Sequence, residues 1–238
     1  MTESDGIRLN KFMADCGHCS RREADRLIAS GKVLVNGNVA ETGMRVTDED
    51  KITVDGKILK REEKTILLVF NKPPGITCTA SKDDGTNVVD YIGYPKRIYP
   101  IGRLDKYSEG LLLLTNRGDL VNGIMRSRYG HEKEYIVTVD RAVDDDLLRR
   151  LSSGVYLKEL DVTTRPCKCQ KVARNRFSMV ITQGLNRQIR RMCEACGCRV
   201  TKLKRVRILD IELGDLPAGE YREATEKELK SVLDRMDH

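Results

Sequence analysis

Two short, uninterrupted apolar runs constrain the fold of this chain more than any other feature. They are ILLVF at residues 66–70 and LLLL at residues 111–114. Continuous apolar runs of this length are typical of strands buried on both faces in the centre of a sheet. Further strands are predicted around Leu111–Thr115, Tyr135–Val139, Phe177–Ile181 and Ile208–Leu213.

Helices are predicted between and after these strands. They fall at about residues 116–127, 143–152 and 186–196, the last with Asn186 as N-cap. Thr225 and Glu228 form the capping box of a final helix. Strands and helices do not alternate regularly, so we predict an α+β fold with a mixed, mainly antiparallel sheet flanked by helices.

The front of the chain shows a separate pattern. Apolar residues from Leu9 to Cys16 recur at helical spacing, and Gly17 can end that helix. Ser20 with Glu23 predicts a capping box for a second helix, which Gly31 can end.

Short strands joined by tight Asn36-Gly37 and Asp55-Gly56 turns follow the two helices. We therefore predict a small αβ domain at residues 6–65 and a larger domain at 66–238. The segment KREEKT, residues 60–65, would link them.

The charge distribution favours a polyanionic partner. Lys and Arg outnumber Asp and Glu by 43 to 36, a formal net charge of +7. Nucleic acid fits better than a membrane, because no run approaches membrane-spanning length and the polar N-terminus is no signal peptide. A cytoplasmic location is expected. The polar face of the front domain is basic, with Arg8, Lys11, Arg21, Arg22 and Arg26.

A second concentration of cations lies between Gly184 and Arg207. It contains eight basic residues against one acid, Glu194, and predicts a local polyanion site. The basic residues are Arg187, Arg190, Arg191, Arg199, Lys202, Lys204, Arg205 and Arg207.

The eight cysteines raise the alternative of a zinc-binding RNA factor. Cys16 with Cys19 and Cys193 with Cys196 have the C-x-x-C spacing of zinc knuckles. Several of these cysteines lie on apolar helical faces, however, which favours buried, reduced thiols in a cytosolic protein. We predict no metal and no cofactor.

One carboxylate stands out within GRLDKYSEGLLLL, residues 102–114. Asp105 lies between Arg103 and Lys106, and glycines bracket the segment ahead of the apolar run. No G-K-[ST] follows for phosphate binding. These residues alone leave two interpretations open: a catalytic acid on a rigid support, or an aspartate that makes a turn or salt bridge.

Four segments carry a family resemblance. NKPPG, GRLD with GLLLLTN, HEKEYIVTV and NRQIRRM together resemble the RsuA-type family of pseudouridine synthases. RLNKFMADCGHCSRREADRLIASGKVLVNG resembles the S4 RNA-binding module. The two resemblances cover the whole chain. The sequences of these segments are most similar to those of bacterial synthases that act on large-subunit ribosomal RNA.

The resemblance implies an isomerase that detaches uracil from ribose, rotates it and reattaches it through carbon, without metal or cofactor. Asp105 matches the essential aspartate, for which attack on the ribose, attack on the base and proton abstraction all stay open. Arg190 matches an arginine that pairs with it, although a phosphate contact is the alternative. Tyr135 matches an aromatic residue that stacks on the target base, although a core tyrosine is the alternative. Ile189 would add apolar contact.

Other residues are expected to hold RNA around that pocket. Arg103 would fill the stack vacated by a flipped uridine or hold the flanking phosphates. The remaining expected RNA contacts are Leu104, Lys106, Leu185, Asn186, Arg187, Gln188 and Arg191.

The implied partner is large-subunit ribosomal RNA, and a tRNA is a further candidate substrate. The protein is expected to be a monomeric enzyme of ribosome biogenesis. The alternative is a non-catalytic S4-type RNA-binding or ribosome-associated factor. Such a factor should have a broken GRLD or lack the tyrosine of KEY, and this chain keeps both.

Overall fold

The computed structural model describes residues 6–61, 64–79, 86–125 and 130–235. Two compact units are present: Met1–Thr65 with Tyr94–Ile98 and Asn116–Gly118, and Ile66–Gly93 with Tyr99–Thr115 and Asp119–His238. Residues 62 and 63 of the expected linker lie outside the described ranges, and the limits 6–65 and 66–238 stay a prediction.

Seventeen strands and seven helices lie in the described residues of the two units. In chain order they are β1 Ile7–Arg8, α1 Leu9–Asp15, α2 Arg21–Ala29, β2 Val33–Val35, β3 Asn38–Val39, β4 Arg45–Val46, β5 Ile52–Val54, β6 Lys57–Ile58, β7 Leu67–Lys72, α3 Val88–Ile92, β8 Tyr99–Ile101, β9 Glu109–Thr115, α4 Gly118–Met125, β10 Lys133–Val139, α5 Asp145–Ser152, β11 Tyr156–Leu157, β12 Val162–Thr163, β13 Lys168–Ala173, β14 Arg176–Ile181, α6 Gln188–Ala195, β15 Val200–Ile208, β16 Ile211–Glu212, β17 Tyr221–Glu223 and α7 Glu226–Asp234.

The first unit packs α1 and α2 on short strands. Four strands pair in the order β3-β2-β5-β6, and β1 pairs with β4. The Ser20 side chain accepts a hydrogen bond from the backbone N–H of Glu23, which caps α2 as predicted. Asn36 and Gly37 both have positive φ, as the predicted tight turn requires. The buried core of this unit is Leu9, Phe12, Met13, Cys19, Ala24, Ile28, Val33, Ala40, Val46, Ile52 and Val54.

The second unit is built on one nine-stranded sheet in the order β13-β14-β10-β15-β9-β7-β17, with β8 and β16 added at its side. Among the strand pairs of the described residues, β15–β9 is parallel and the others in this sheet are antiparallel. The two apolar runs form β7 and β9, neighbours in the sheet with almost fully buried side chains. Helices α4 and α7 contribute Leu120, Ile124 and Val232 to the core on these strands. The predicted mixed, mainly antiparallel α+β fold is confirmed.

The strand predicted at Ile208–Leu213 is wrong. The chain instead leaves β15 at Ile208, turns with Leu209 at φ 53°, and returns as β16. Because Leu209 is apolar and buried, the sequence contains no polar turn signal at this position.

The helix boundaries also differ from the predictions. Helix α6 begins at Gln188, and its N-cap is Arg187 in the left-handed region rather than Asn186. Helix α5 is capped by Asp144, which accepts from the N–H of Leu147. The predicted end of the helix at 116–127 falls partly on residues 126–129, outside the described residues. The Thr225–Glu228 capping box is confirmed.

No helix within the described parts of the chain is long and apolar enough to cross a membrane.

Candidate active site

A cavity of about 750 Å³ in the second unit gathers residues from three places in the chain. The loop before β9 supplies Asp105, strand β10 supplies Tyr135, and helix α6 supplies Arg190. The cavity is open to solvent, as shown by the Asp105 side chain in its wall, which is 36% exposed. A carboxylate, an aromatic ring and a guanidinium therefore share one concave surface.

The turn that carries Asp105 (residues 105–108, the Asp105 turn) is fixed by backbone hydrogen bonds. The N–H of Ser108 donates to the Asp105 carbonyl at 3.0 Å, and the N–H of Gly75 donates to the Lys106 carbonyl at 2.7 Å. The buried ammonium of Lys72 donates to the carbonyls of Lys106 and Ser108, at 3.1 and 2.9 Å, and to that of Pro73 at 2.9 Å. Burial lowers the pKa of Lys72, partly offset by the nearby Cys78 and Asp105. This ammonium ties the Asp105 turn to the NKPPG segment.

Two arginines approach the same oxygen of Asp105. Nε of Arg190 and Nη1 of Arg187 each lie 3.8 Å from Oδ2. The Arg190 side chain is 14% exposed, whereas that of Arg187 is 50% exposed. Arg190 is held by the Val200 carbonyl, at 3.1 Å from Nη1, and by Ser108 Oγ, at 3.5 Å from Nη2.

The Arg190–Asp105 interaction acts through space. At 3.8 Å the two atoms are too far apart for a hydrogen bond, and Nε of Arg190 is buried without a hydrogen-bond partner among the described residues. Burial lowers the pKa of Arg190, as does the adjacent Arg187, while Asp105 raises it. The two guanidinium groups therefore place positive charge beside the Asp105 carboxylate.

Tyr135 is buried beside a second arginine. Arg205 of β15 lies opposite it in the strand register, with Nη1 3.4 Å from the tyrosine Oη and its guanidinium carbon 5.9 Å from the ring centroid. Nε of Arg205 donates to the Leu111 carbonyl at 2.7 Å, so this side chain joins β9, β10 and β15. Arg205 is 2% exposed, and its Nη2 has no partner within the described ranges.

The parallel pairing of β9 with β15 needs a glycine at position 110. A Cβ atom added there would lie 2.2 Å from the Arg205 carbonyl oxygen, and Gly110 has φ +99°. The two strands can approach this closely only without a side chain at that position.

Lys133 adds a further buried cation to the cavity wall. Its ammonium donates to the His131 carbonyl at 3.0 Å. Burial, together with the charge of Arg205, lowers the pKa of Lys133 to about 8. Sequence reasoning did not identify Lys133 as a buried residue of the cavity, because a lysine in a polar segment is normally exposed.

The predicted polyanion site at 184–207 stays a prediction. In the structure Arg205 is buried, and several of the other cations are paired with carboxylates. These ion pairs are Arg191–Glu159, Arg199–Asp140 at 3.6 Å, Lys202–Glu109 at 3.1 Å, and Arg207 with Glu132 at 3.0 Å and with Glu134 at 2.9 Å. Counting charges in the sequence missed these pairs because the acids lie elsewhere along the chain and come close only in the folded protein.

Comparison with known proteins places this geometry in a family. The sequence pattern described as "RNA pseudouridylate synthase" matches residues 66–195, more than half of the chain, and the pattern of the S4 domain matches residues 7–52. The chain belongs to the RNA pseudouridylate synthase family. The predicted activity, isomerisation of uridine to pseudouridine in RNA, is confirmed with it.

Individual relatives agree. The chain is 46% identical over 231 residues to the "Dual-specificity RNA pseudouridine synthase RluF" of Escherichia coli K12, covering 96% of this chain and 79% of the relative. It is 41% identical over 240 residues to the "Ribosomal large subunit pseudouridine synthase B" of Bacillus subtilis, covering 97% of each. A solved structure described as "Crystal structure of pseudouridylate synthase" aligns with TM-score 0.70 at 30% identity, covering 95% of this chain and all of that one.

Most of the site residues expected from the synthase resemblance line the cavity that contains Asp105. Lys106 and Arg191 do not line it: Lys106 is exposed on the Asp105 turn, and Arg191 donates to the carbonyl and side-chain oxygens of Asn186. The expected residues that line the cavity are Arg103, Leu104, Asp105, Tyr135, Leu185, Asn186, Arg187, Gln188, Ile189 and Arg190. Of these, Leu104, Gln188 and Ile189 are buried.

Three of the expected basic residues of the first unit line one hollow, which we call the basic hollow: Arg8, Lys11 and Arg21, together with Arg45. Arg22 is exposed on α2 outside that lining. Arg26 forms an exposed ion pair with Glu23 at 3.2 Å, which partly matches its charge.

Most of the cysteines lie in the interior of the protein. Cys19, Cys193, Cys196 and Cys198 are buried, and burial raises the pKa of Cys16 to about 11. Cys167 and Cys169 lie with their sulfur atoms 3.7 Å apart. No group of three or more His, Cys, Asp or Glu side chains suited to a metal ion occurs in the described part of the chain.

Proposed function

We propose that this synthase converts a specific uridine of large-subunit ribosomal RNA to pseudouridine, with a tRNA as the candidate second substrate. The observation that carries the proposal is the geometry around one carboxylate. Asp105 lies on an anchored turn, with one nitrogen of each of two arginines 3.8 Å from its Oδ2 and with Tyr135 in the same cavity. The printed names of the relatives, one dual-specificity and one of the ribosomal large subunit, support this choice of substrates.

The reaction needs one carboxylate and no redox partner. The bond from ribose C1′ to uracil N1 breaks, a bond from C1′ to C5 forms, N1 gains a proton and C5 loses one. Asp105 would start the process as a nucleophile or as a base, with the positive charge of Arg190 beside it. All three routes for the carboxylate stay open.

The target base must leave its stack to reach Asp105, because the reacting ribose carbon is enclosed in folded RNA. The flipped base would lie against the buried ring of Tyr135, with Ile189 as an apolar contact. Arg103, exposed at the cavity, would fill the vacated position or hold the flanking phosphates. Arg187 and Lys106 would contact the same RNA backbone.

The basic hollow of the S4-type unit would hold a separate part of the RNA through phosphate contacts. Such contacts position an enzyme on structured RNA without reading its sequence. The enzyme would act as a monomer in the cytoplasm, where its ribosomal RNA substrate is found.

Pseudouridine mapping tests this proposal. Ribosomal RNA and tRNA are compared between cells with the gene, cells without it, and deleted cells that carry the Asp105→Asn variant. We expect one or a few pseudouridines to vanish on deletion, to return with the wild-type gene and to stay absent with Asp105→Asn. Identical maps in all strains would overturn the proposed substrate, and full rescue by Asp105→Asn would overturn the role of Asp105.

A further inference from the structure

Tyr107 is an exposed aromatic residue on the Asp105 turn. Its relative exposure of 72% is the highest among the large hydrophobic residues that the structure describes. It follows Asp105 by two residues, and its neighbours Asp105 and Ser108 line the cavity while Tyr107 itself does not. The ring therefore stands outside the cavity, beside its acid.

The backbone on both sides of Tyr107 is held in place. Lys72 donates to the carbonyls of Lys106 and Ser108, and the N–H of Gly75 also donates to the Lys106 carbonyl. An aromatic side chain with two rotatable torsions, on an anchored turn, loses little conformational entropy when a ligand covers it.

A purely structural role does not explain this position. At 72% exposure the ring contributes little hydrophobic stabilisation, although single exposed apolar residues are common on proteins. A nearby cation supports a nucleic-acid role, because the Lys106 ammonium lies 6.0 Å from the ring centroid. A ring beside a cation, next to a site that accepts a flipped base, is the combination found on stacking platforms for single-stranded nucleic acid.

We propose that Tyr107 stacks on an unpaired RNA base adjacent to the target uridine. This rests on the proposed function and adds a specificity and positioning residue to it. Extruding the uridine removes a stacking partner from its neighbour, and the Tyr107 ring replaces that partner at the mouth of the cavity. Because every base has a π face, the contact tolerates sequence but requires an unpaired neighbour.

Single-turnover kinetics on an RNA fragment that contains the target uridine tests the contact. Tyr107→Ala should raise the RNA concentration for half-maximal rate by about 10-fold, the effect of one lost base–aromatic stack, and leave the saturated rate unchanged. Tyr107→Phe keeps the ring and should behave as wild type. The matched control is Tyr156→Ala, since Tyr156 is 55% exposed on β11 of the same unit.

A fluorescence experiment gives a readout that is independent of turnover. The chain contains no tryptophan, so Tyr107→Trp introduces a single indole at the proposed contact. In an Asp105→Asn background, which keeps the RNA unreacted, the indole emission should be quenched on addition of target RNA. A Tyr156→Trp variant in the same background should keep its emission.

The outcomes separate this inference from the proposed function. Loss of the saturated rate in Tyr107→Ala with unchanged half-saturation, or no quenching of the indole at 107, would overturn the stacking role. In both cases the Asp105-dependent activity of wild type would still stand. Quenching at 107 together with the expected shift in half-saturation would support the stacking contact, even if the modified uridine proved to lie in a different RNA class.

Discussion

Nε of Arg190 lies 3.8 Å from Oδ2 of Asp105 and has no hydrogen-bond partner among the described residues. A buried donor without a partner is costly unless a ligand or a charge compensates it. Here the Asp105 carboxylate compensates the buried Nε of Arg190. The two groups are too far apart for a hydrogen bond, so this donor occupies neither carboxylate oxygen. Arg187 reaches the same oxygen from an exposed position, so the two arginines differ in burial rather than in distance.

Arg190→Ala should slow the chemical step more than Arg187→Ala does. Removing the buried arginine should raise the activation free energy by about 2 kcal/mol, which slows the step about 30-fold. This is less than the full cost of breaking a buried ion pair, because Asp105 is partly exposed. Arg187→Ala should mainly raise the RNA concentration needed and flatten the salt dependence. Arg190→Lys keeps the charge but loses the planar fork and should rescue in part.

Single-turnover rates at saturating RNA measure these effects for the three variants. A wild-type rate for Arg190→Ala together with a slowed Arg187→Ala would mean that the exposed arginine supports the carboxylate.

The low pKa of Lys133 predicts a specific pH dependence of stability. The folded-state pKa is about 8, below the unfolded value near 10.5, so between these pH values the unfolded state binds more protons. The cost of burying the charged lysine is therefore fully present below pH 8 and is relieved as the pH rises towards 10.5. Denaturant unfolding should show the stability gap between Lys133→Met and wild type shrinking by ~1.4 kcal/mol per pH unit in that window. A gap that stays constant from pH 8 to 10.5 would show that the pKa of Lys133 is the same in the folded and unfolded states.

The basic hollow should account for part of the salt dependence of RNA binding. The triple variant Arg8→Gln, Lys11→Gln, Arg21→Gln removes three charges that line it. Each lost phosphate contact should reduce the slope of log affinity against log salt by roughly 0.7–0.9. Binding titrations at several salt concentrations measure the slope, with Arg26→Gln as control because Arg26 is paired with Glu23. Equal slopes for the triple variant and wild type would make these residues an ordinary solvated face.

Gly110→Ala should destabilise the second unit strongly. The new Cβ would meet the Arg205 carbonyl at 2.2 Å, so β9 and β15 would have to separate. We expect a loss of ~3 kcal/mol or more in the free energy of unfolding. Gly197→Ala is the control, since it shares a positive φ but has nothing within 4 Å, and strain alone should cost about 1–2 kcal/mol. Similar losses for the two variants would mean that the strand contact relaxes easily.

Local signals in the sequence were enough to predict the main elements of the fold. The apolar runs gave β7 and β9, and Ser20 and Thr225 gave the helix starts, because each pattern is decided by residues close in the chain. Strand β15 was missed because its lysines and arginines suggested a surface segment. Lys202 and Arg207 are paired with carboxylates of the neighbouring strands, and the Arg205 side chain is buried. Such pairing depends on strand register, which local periodicity does not contain.

The candidate site was predictable only through the resemblance. The residues around Asp105 leave a turn aspartate and a catalytic acid equally open, and spacing alone does not bring positions 105, 135 and 190 together. The support of the site was not predicted at all. Lys72 and Arg205 donate to backbone carbonyls that lie far away along the chain, and a sequence offers no pattern for such contacts.

The most direct test of the account is turnover by Asp105→Asn on RNA that carries tritium at C5 of uridine. Forming the C1′–C5 bond displaces that hydrogen, so tritium released to water counts each isomerisation. Asparagine keeps the shape of the side chain but removes the charge, the nucleophile and the base. We expect no release above background from Asp105→Asn, with RNA affinity close to wild type. Release at a rate near that of wild type, from protein free of wild-type enzyme, would contradict the assignment of Asp105 as the catalytic carboxylate.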